Sequence, residues 1–247
     1  MIDVVFGIHA VESLLRSRGR PVERLHIAAG ARSERLEQIL QLARERSVSL
    51  RFEKNLALDR LARTKAHQGV VAVCGAKRYA SLEDLIAKKH DPAFFVLLDQ
   101  VEDPHNLGAV LRTAAAAGVE GLIITERRSV GLTSTVAKAA TGALEDVPVV
   151  RVTNLVQAIE LLKQANIWIV GVEADAEKRW TEVDFRDPVA LVFGSEGEGM
   201  RRLVREHCDW VVSLPLNRGG GVSSLNVSVA AGILMYEVVR QRASRDK

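Results

Sequence analysis

The chain of 247 residues has little of most things that place a protein early. It has two cysteines, Cys74 and Cys208, with neither a CxxC spacing nor a clustered set of histidines, so no disulfide framework and no metal site is expected. No apolar run reaches the eighteen or so residues that a membrane span needs. The amino terminus MIDVVFGIHAVESLL carries Asp3 and no basic segment, so neither a signal peptide nor a membrane anchor is expected and the location should be cytoplasmic. Glycine-rich stretches exist, but no G-x-G-x-x-G and no P-loop, which disfavours a transferase built around a dinucleotide. Net charge is only +3, too small to argue for a polyanionic partner by itself. What remains, 47% apolar and 26% charged residues, is an ordinary soluble globular composition with room for one large domain or two.

The distribution of charge says more than its sum. Residues 1 to 78 hold 15 Lys and Arg against 8 Asp and Glu, a balance of +7, which leaves −4 for the remainder. A basic front part suits contact with a phosphate backbone, although an arginine-rich solvated surface reads the same way. The pattern alternates helix and strand in that part, with GIHAVESLLRS, SERLEQILQLARERS (Ser33 as N-cap) and NLALDRLART as helices and RLHIAA, SLRF and QGVVAVCG as strands. The charged stretch 77–92, ending in Asp-Pro, is expected to be a linker between a domain over 1–76 and another over 93–247. In the second segment the strands FFVLLD, GLIIT, PVVRV, WIVGVEA, VALVFG and WVVSLP alternate with helices, one opened by Asn154 and one stopped by Gly118. Short apolar strands between helices predict an α/β fold with a mostly parallel sheet covered on both faces.

In such sheets ligands bind beyond the carboxyl ends of the strands, and three polar stretches fall there. The first, VEDPHNLGAVLRTA, reads as a turn with Asn106 as helix cap, but that leaves Arg112 unexplained as the sole charge on an apolar helix. The second, GSEGEG at residues 194–199, lets the backbone approach a ligand closely, with Glu196 at its centre. The third, GGGVSSLNVSVAAG at residues 219–232, leads into a helix apolar on nearly every face, which implies burial by a core on one side and a second subunit on the other. One of Ser223, Ser224 and Asn226 suffices as its cap, so the remaining polar residues need another task.

In order and spacing, DPHNLGAVLRTA, LVFGSEGEGM and LPLNRGGGVSSLNVSVA resemble the three motifs of the SpoU-type RNA ribose 2'-O-methyltransferases of the SPOUT class. FGIHAVESLL and AHQGVVAV resemble the substrate-binding amino-terminal domain of the members that methylate a guanosine in large-subunit ribosomal RNA. The resemblance spans essentially the whole chain. It implies an α/β catalytic domain with a carboxyl-terminal trefoil knot, S-adenosylmethionine as cofactor, ribosomal RNA as substrate, no metal, and a homodimer with the cofactor site at the subunit interface. It implies Asn106, Arg112, Glu196, Ser224 and Asn226 as catalytic residues, and Gly194, Leu214 and Leu225 as cofactor contacts. The loop between Pro215 and Val222 is a couple of residues longer than the family's usual form. A transfer RNA methyltransferase and a non-catalytic ribosome-assembly factor are the competing readings; the complete residue set speaks against the second.

Overall fold

The computed structural model describes residues 2–17, 19–31, 33–216 and 224–244, and it divides into two compact units. The first holds residues 1–78 together with 132–146. Its elements are β1 (Ile2–Phe6), α1 (Ile8–Ser17), β2 (Val22–Ala28), α2 (Glu34–Glu45), β3 (Ser49–Glu53), α3 (Asn55–Ala62) and β4 (Val70–Gly75). The sheet runs β1-β4-β2-β3, antiparallel except between β2 and β3. Alternate residues face opposite sides: Val5, Leu25, Ile27, Val70 and Ala72 pack with Leu14 of α1 and Ile39 of α2, whereas Phe6, Ala28 and Val71 pack with Leu58 of α3. Ser33 caps α2 as expected, its side chain accepting from Leu36 N. The strand β1 has no counterpart in the expected pattern, because its five residues before Gly7 are too few for alternation to declare itself.

Two short helices from farther along the chain, α6 (Ser134–Ala139) and α7 (Ala143–Asp146), complete this unit. Glu145 of α7 accepts from Arg20 at 2.6 Å, Arg20 also reaches Asp3 at 2.9 Å, and Lys77 lies 3.7 Å from Glu145. Burial alone would lower the pKa of Arg20, but Glu145 and the other acidic partners beside it leave it raised. Two buried charges held this way stabilise only as a pair; removing one strands the other.

The second unit holds residues 79–131 and 147–247. It comprises α4 (Leu82–Lys88), β5 (Phe94–Leu98), α5 (Pro104–Ala117), β6 (Gly121–Thr125), β7 (Val149–Val152), α8 (Leu155–Gln164), β8 (Trp168–Val172), β9 (Lys178–Arg179), β10 (Val189–Phe193), α9 (Arg202–Glu206), β11 (Trp210–Ser213) and α10 (Val227–Ala243). The strands form one sheet in the order β7-β6-β5-β10-β8-β11-β9, parallel throughout, in agreement with the α/β expectation. Phe95, Leu97, Ala190, Val192 and Ile169 pack on one face with Leu155, Ile159 and Leu162 of α8. On the other side α5 and α10 pack against each other.

The expected linker proves to be partly structural. Within 77–92, Ser81 caps α4, Leu82 is buried, and Leu85 and Ile86 pack on the same core as α8. Three apolar residues at helical spacing anchor a stretch whose charges suggested solvent. The expected carboxyl-terminal knot is not shown among the described residues, and Gly219, Gly220, Gly221 and Ser223 lie outside them.

Candidate active site

The three polar stretches follow β5, β10 and β11, so the sheet delivers them to one end. After β5 the chain turns at Asp103, whose side chain accepts from His105 N at 2.8 Å, and Pro104 occupies the first turn where no N–H is needed. Asp103, rather than Asn106, is therefore the cap. That leaves the Asn106 side chain, 7% exposed, free to turn inward and donate to Glu196 Oε1 at 2.8 Å.

After β10 the segment from Gly194 to Met200 closes on itself through paired bonds between Ser195 and Gly199. A Cβ on Gly194 would lie 2.0 Å from the Gly199 carbonyl carbon, so no other residue fits there. The return leg is held by two carboxylates. Glu173 Oε1 accepts from Met200 N at 3.0 Å and Asp99 Oδ2 accepts from Arg201 N at 2.9 Å. Each acid stands one residue beyond a strand flanking β10, Asp99 after β5 and Glu173 after β8. Asp99 is fully buried and also takes Arg201 Nε at 2.9 Å, while Glu173 takes Arg205 Nε at 2.9 Å. Sequence reasoning missed both; an acid terminating an apolar strand, as in FFVLLD, was the available signal.

After β11 the chain reaches Asn226, which caps α10 by accepting from Ser228 N at 2.9 Å. Its amide nitrogen donates to Glu196 Oε1 at 2.6 Å and to Asn106 Oδ1 at 3.0 Å. Glu196 thus receives an amide from each of two helices, and three side chains from three motifs form one closed cluster.

Glu196 of this cluster lines two cavities, and Asn106 lines the smaller of them. The larger, about 550 Å³, is lined by Gly194, Glu196, Leu214, Ser224 and Leu225 among others. The smaller, about 360 Å³, is lined by Gln100, Glu102, Asp103, Asn106 and Arg128, and shares Ser195, Glu196, Glu198 and Val227 with the larger. Arg112 lies elsewhere. It is exposed on α5, lines neither cavity and makes no hydrogen bond or ion pair among the described residues. Six residues along a helix turn Arg112 well away from Asn106, so among the described residues of one chain these two catalytic candidates do not line the same cavity.

The model of the SpoU rRNA Methylase family matches residues 93–236, more than half the chain. The chain belongs to the SpoU rRNA methylase family. A second model, for RNA 2'-O ribose methyltransferase substrate binding, matches residues 4–80. The SpoU-family relatives include a putative TrmH family tRNA/rRNA methyltransferase of Bacillus subtilis, 46% identical over 97% of this chain and 96% of its own. A 23S rRNA (guanosine-2'-O-)-methyltransferase of Shewanella oneidensis is 46% identical over 98% of both chains. Among solved structures, the SpoU methyltransferase AviRb of Streptomyces viridochromogenes, in complex with AdoMet, has a TM-score of 0.83 at 26% identity, covering 98% of this chain and 91% of that one.

The larger cavity fits the cofactor of the SpoU family. Its volume is that of a small-molecule site. Leu214 and Leu225 offer apolar walls, and the tight Gly194 turn, where a Cβ would clash with the Gly199–Met200 backbone, brings main chain to its edge. Among the described residues no group of His, Cys, Asp and Glu is arranged to hold a metal. Burial pushes the Cys208 thiol up to about 12 and Cys74 up to about 11, so both are protonated at neutral pH.

Proposed function

We propose that this protein transfers a methyl group from S-adenosylmethionine to the ribose 2'-hydroxyl of a guanosine in 23S ribosomal RNA, acting in the cytoplasm as a homodimer. The observation that carries the reading is the cluster of Asn106, Glu196 and Asn226, in which Glu196 lines both cavities and Asn106 the smaller, one cavity sized for a cofactor and the other open to an acceptor. Full-length similarity to a 23S rRNA guanosine methyltransferase supports the substrate.

When bound, S-adenosylmethionine supplies a methyl group on a cationic sulfur, to be taken by the 2'-oxygen as the carbon–sulfur bond breaks and the hydroxyl proton leaves to solvent. The protein's task is alignment and electrostatics. Leu214, Leu225 and the Gly194 turn seat the cofactor, and Ser224 lines the same cavity. Asn106 and Asn226, locked by Glu196, orient the ribose. Arg112 stabilises the developing alkoxide; a guanidinium, which keeps its proton in proteins, is a poor base. Its exposed position supports a site completed by a second copy. Val229, Ile233 and Tyr236 are 50%, 38% and 51% exposed at helical spacing on α10, an apolar face that a second copy would cover.

The front unit supports RNA binding through composition. Phe52 and Leu56, 62% and 60% exposed, are flanked along the chain by the exposed Arg51, Lys54, Arg60 and Arg63, a stretch that offers an aromatic ring for stacking and cations for phosphates. The test is transfer of tritiated methyl to 23S rRNA and to transfer RNA, with the product mapped. A single 2'-O-methylguanosine in 23S rRNA is expected; incorporation confined to transfer RNA, or none, overturns the reading.

A further inference from the structure

The smaller cavity has a chemistry that the cluster does not use. Glu196 is committed to two amides and Asp103 caps α5. Glu102 and Arg128 line the cavity and make no hydrogen bond or ion pair with the described residues. Arg128 is the one cation on the described lining. Its turn is anchored rather than loose: Val130 N donates to Val101 O at 3.0 Å and Thr125 Oγ1 donates to Arg127 O at 3.1 Å. The Val130–Val101 bond ties that turn to the segment carrying Glu102, so cation and carboxylate stand on joined segments of one rim.

We propose that this cavity receives the nucleotide to be methylated, with Glu102 accepting N–H groups from the base edge and Arg128 binding an adjacent phosphate. The inference rests on the proposed function and extends it to recognition. A wall rich in carboxylates repels phosphate, so whatever enters an RNA methyltransferase here enters by its donors. Guanine presents two parallel donors, N1–H and the N2 amine, on one edge, which matches the two oxygens of a carboxylate. Adenine, cytosine and uracil each lack one of that pair. A base drawn out of its stack exposes this edge. The phosphate that accompanies it needs a cation at the rim, where Arg128 can bind two oxygens at once. Glu196, in the wall shared with the larger cavity, then places the ribose against the cluster in which it holds Asn106 and Asn226.

The test uses the full-length protein and a 23S rRNA fragment containing the site mapped for the wild type, made with guanosine or with inosine there. Inosine keeps N1–H and loses the N2 amine. The wild type is expected to prefer guanosine by about tenfold to a hundredfold in kcat/KM, the usual worth of a bidentate base contact. Glu102→Gln places a donor against a donor, so it should lower kcat/KM for guanosine by a similar factor and bring the two substrates within about threefold. Arg128→Ala should raise the KM for RNA about tenfold, leave cofactor affinity by titration unchanged, and flatten the salt dependence by about one phosphate. Unaltered guanosine preference in Glu102→Gln, or an unaltered KM and salt slope in Arg128→Ala, overturns the proposal. Should a variant lose cofactor binding, the wild type decides alone, since equal rates on guanosine and inosine also overturn it. A wild type that methylates no ribosomal RNA would instead remove the proposed function beneath it.

Discussion

Asn226 performs two tasks with one amide. Its oxygen caps α10 and its nitrogen bonds Glu196 and Asn106. Asn226→Asp separates them, because a carboxylate still caps a helix but cannot donate and meets Glu196 as a like charge. Melting temperature and circular dichroism should stay close to wild type while methyl transfer falls by about a hundredfold or more. Transfer within threefold of wild type would show that the amide is only a cap. Asp99 makes the corresponding case for positioning. Asp99→Asn keeps an acceptor and loses the charge facing Arg201, whose side chain is 45% exposed, so the stability cost should be only about 1 kcal/mol. The loosened return leg should raise the cofactor KM about tenfold with a smaller change in kcat, and Asp99→Glu should recover less than half of the loss if length as well as charge matters. An unchanged KM at reduced melting temperature would make Asp99 merely structural.

At the scale of elements, α10 joins the site to the core. Its buried side carries Val227, Ala231, Leu234, Met235 and Val238, and among them Glu237, 5% exposed. Arg240 donates to Glu237 at 2.7 Å and Gln241 at 2.8 Å. The hydrogen bond from Arg240, with help from Gln241, holds the Glu237 carboxyl below the usual carboxylate range. A group lowered in the folded state stabilises above its ordinary value, near pH 4.3, and loses that contribution as pH falls through the lowered one. Glu237→Gln should therefore cost about 1 kcal/mol at pH 7, with the denaturation midpoints of the two proteins converging below about pH 4. Midpoints that diverge toward acid would contradict the pairing. The loop after β10 shows the complementary device: instead of a helix cap, acids at the ends of both neighbouring strands hold its backbone.

At the scale of the whole molecule, Arg112 and the cluster lie apart within one chain, and the homodimer reading makes a sharp demand. Arg112→Ala and Asn226→Ala homodimers should each be inactive, but a mixture allowed to exchange subunits should regain about a quarter of wild-type activity, since half of the dimers are mixed and each has one intact site. Absence of recovery, with exchange verified by mass, would place Arg112 at the site of its own chain or outside the reaction. Removing residues 1–76 is a poor probe of RNA binding, because it strips Arg20 from buried Glu145 and damages a unit that includes α6 and α7. The α/β class, most of the strands, the caps at Ser33 and Asn154, and the three motifs were legible because each depends on local periodicity, turn chemistry or spacing. The sequence determined those features by itself. Only the tertiary structure decided that Asp103 frees Asn106 for Glu196, that Asp99 and Glu173 hold one loop, that 132–146 packs with the front unit, and that Arg112 faces outward. Each of these is a contact between residues distant in the chain or a direction around a helix, and burial and hydrogen-bond geometry exist only once strands and helices have been brought together.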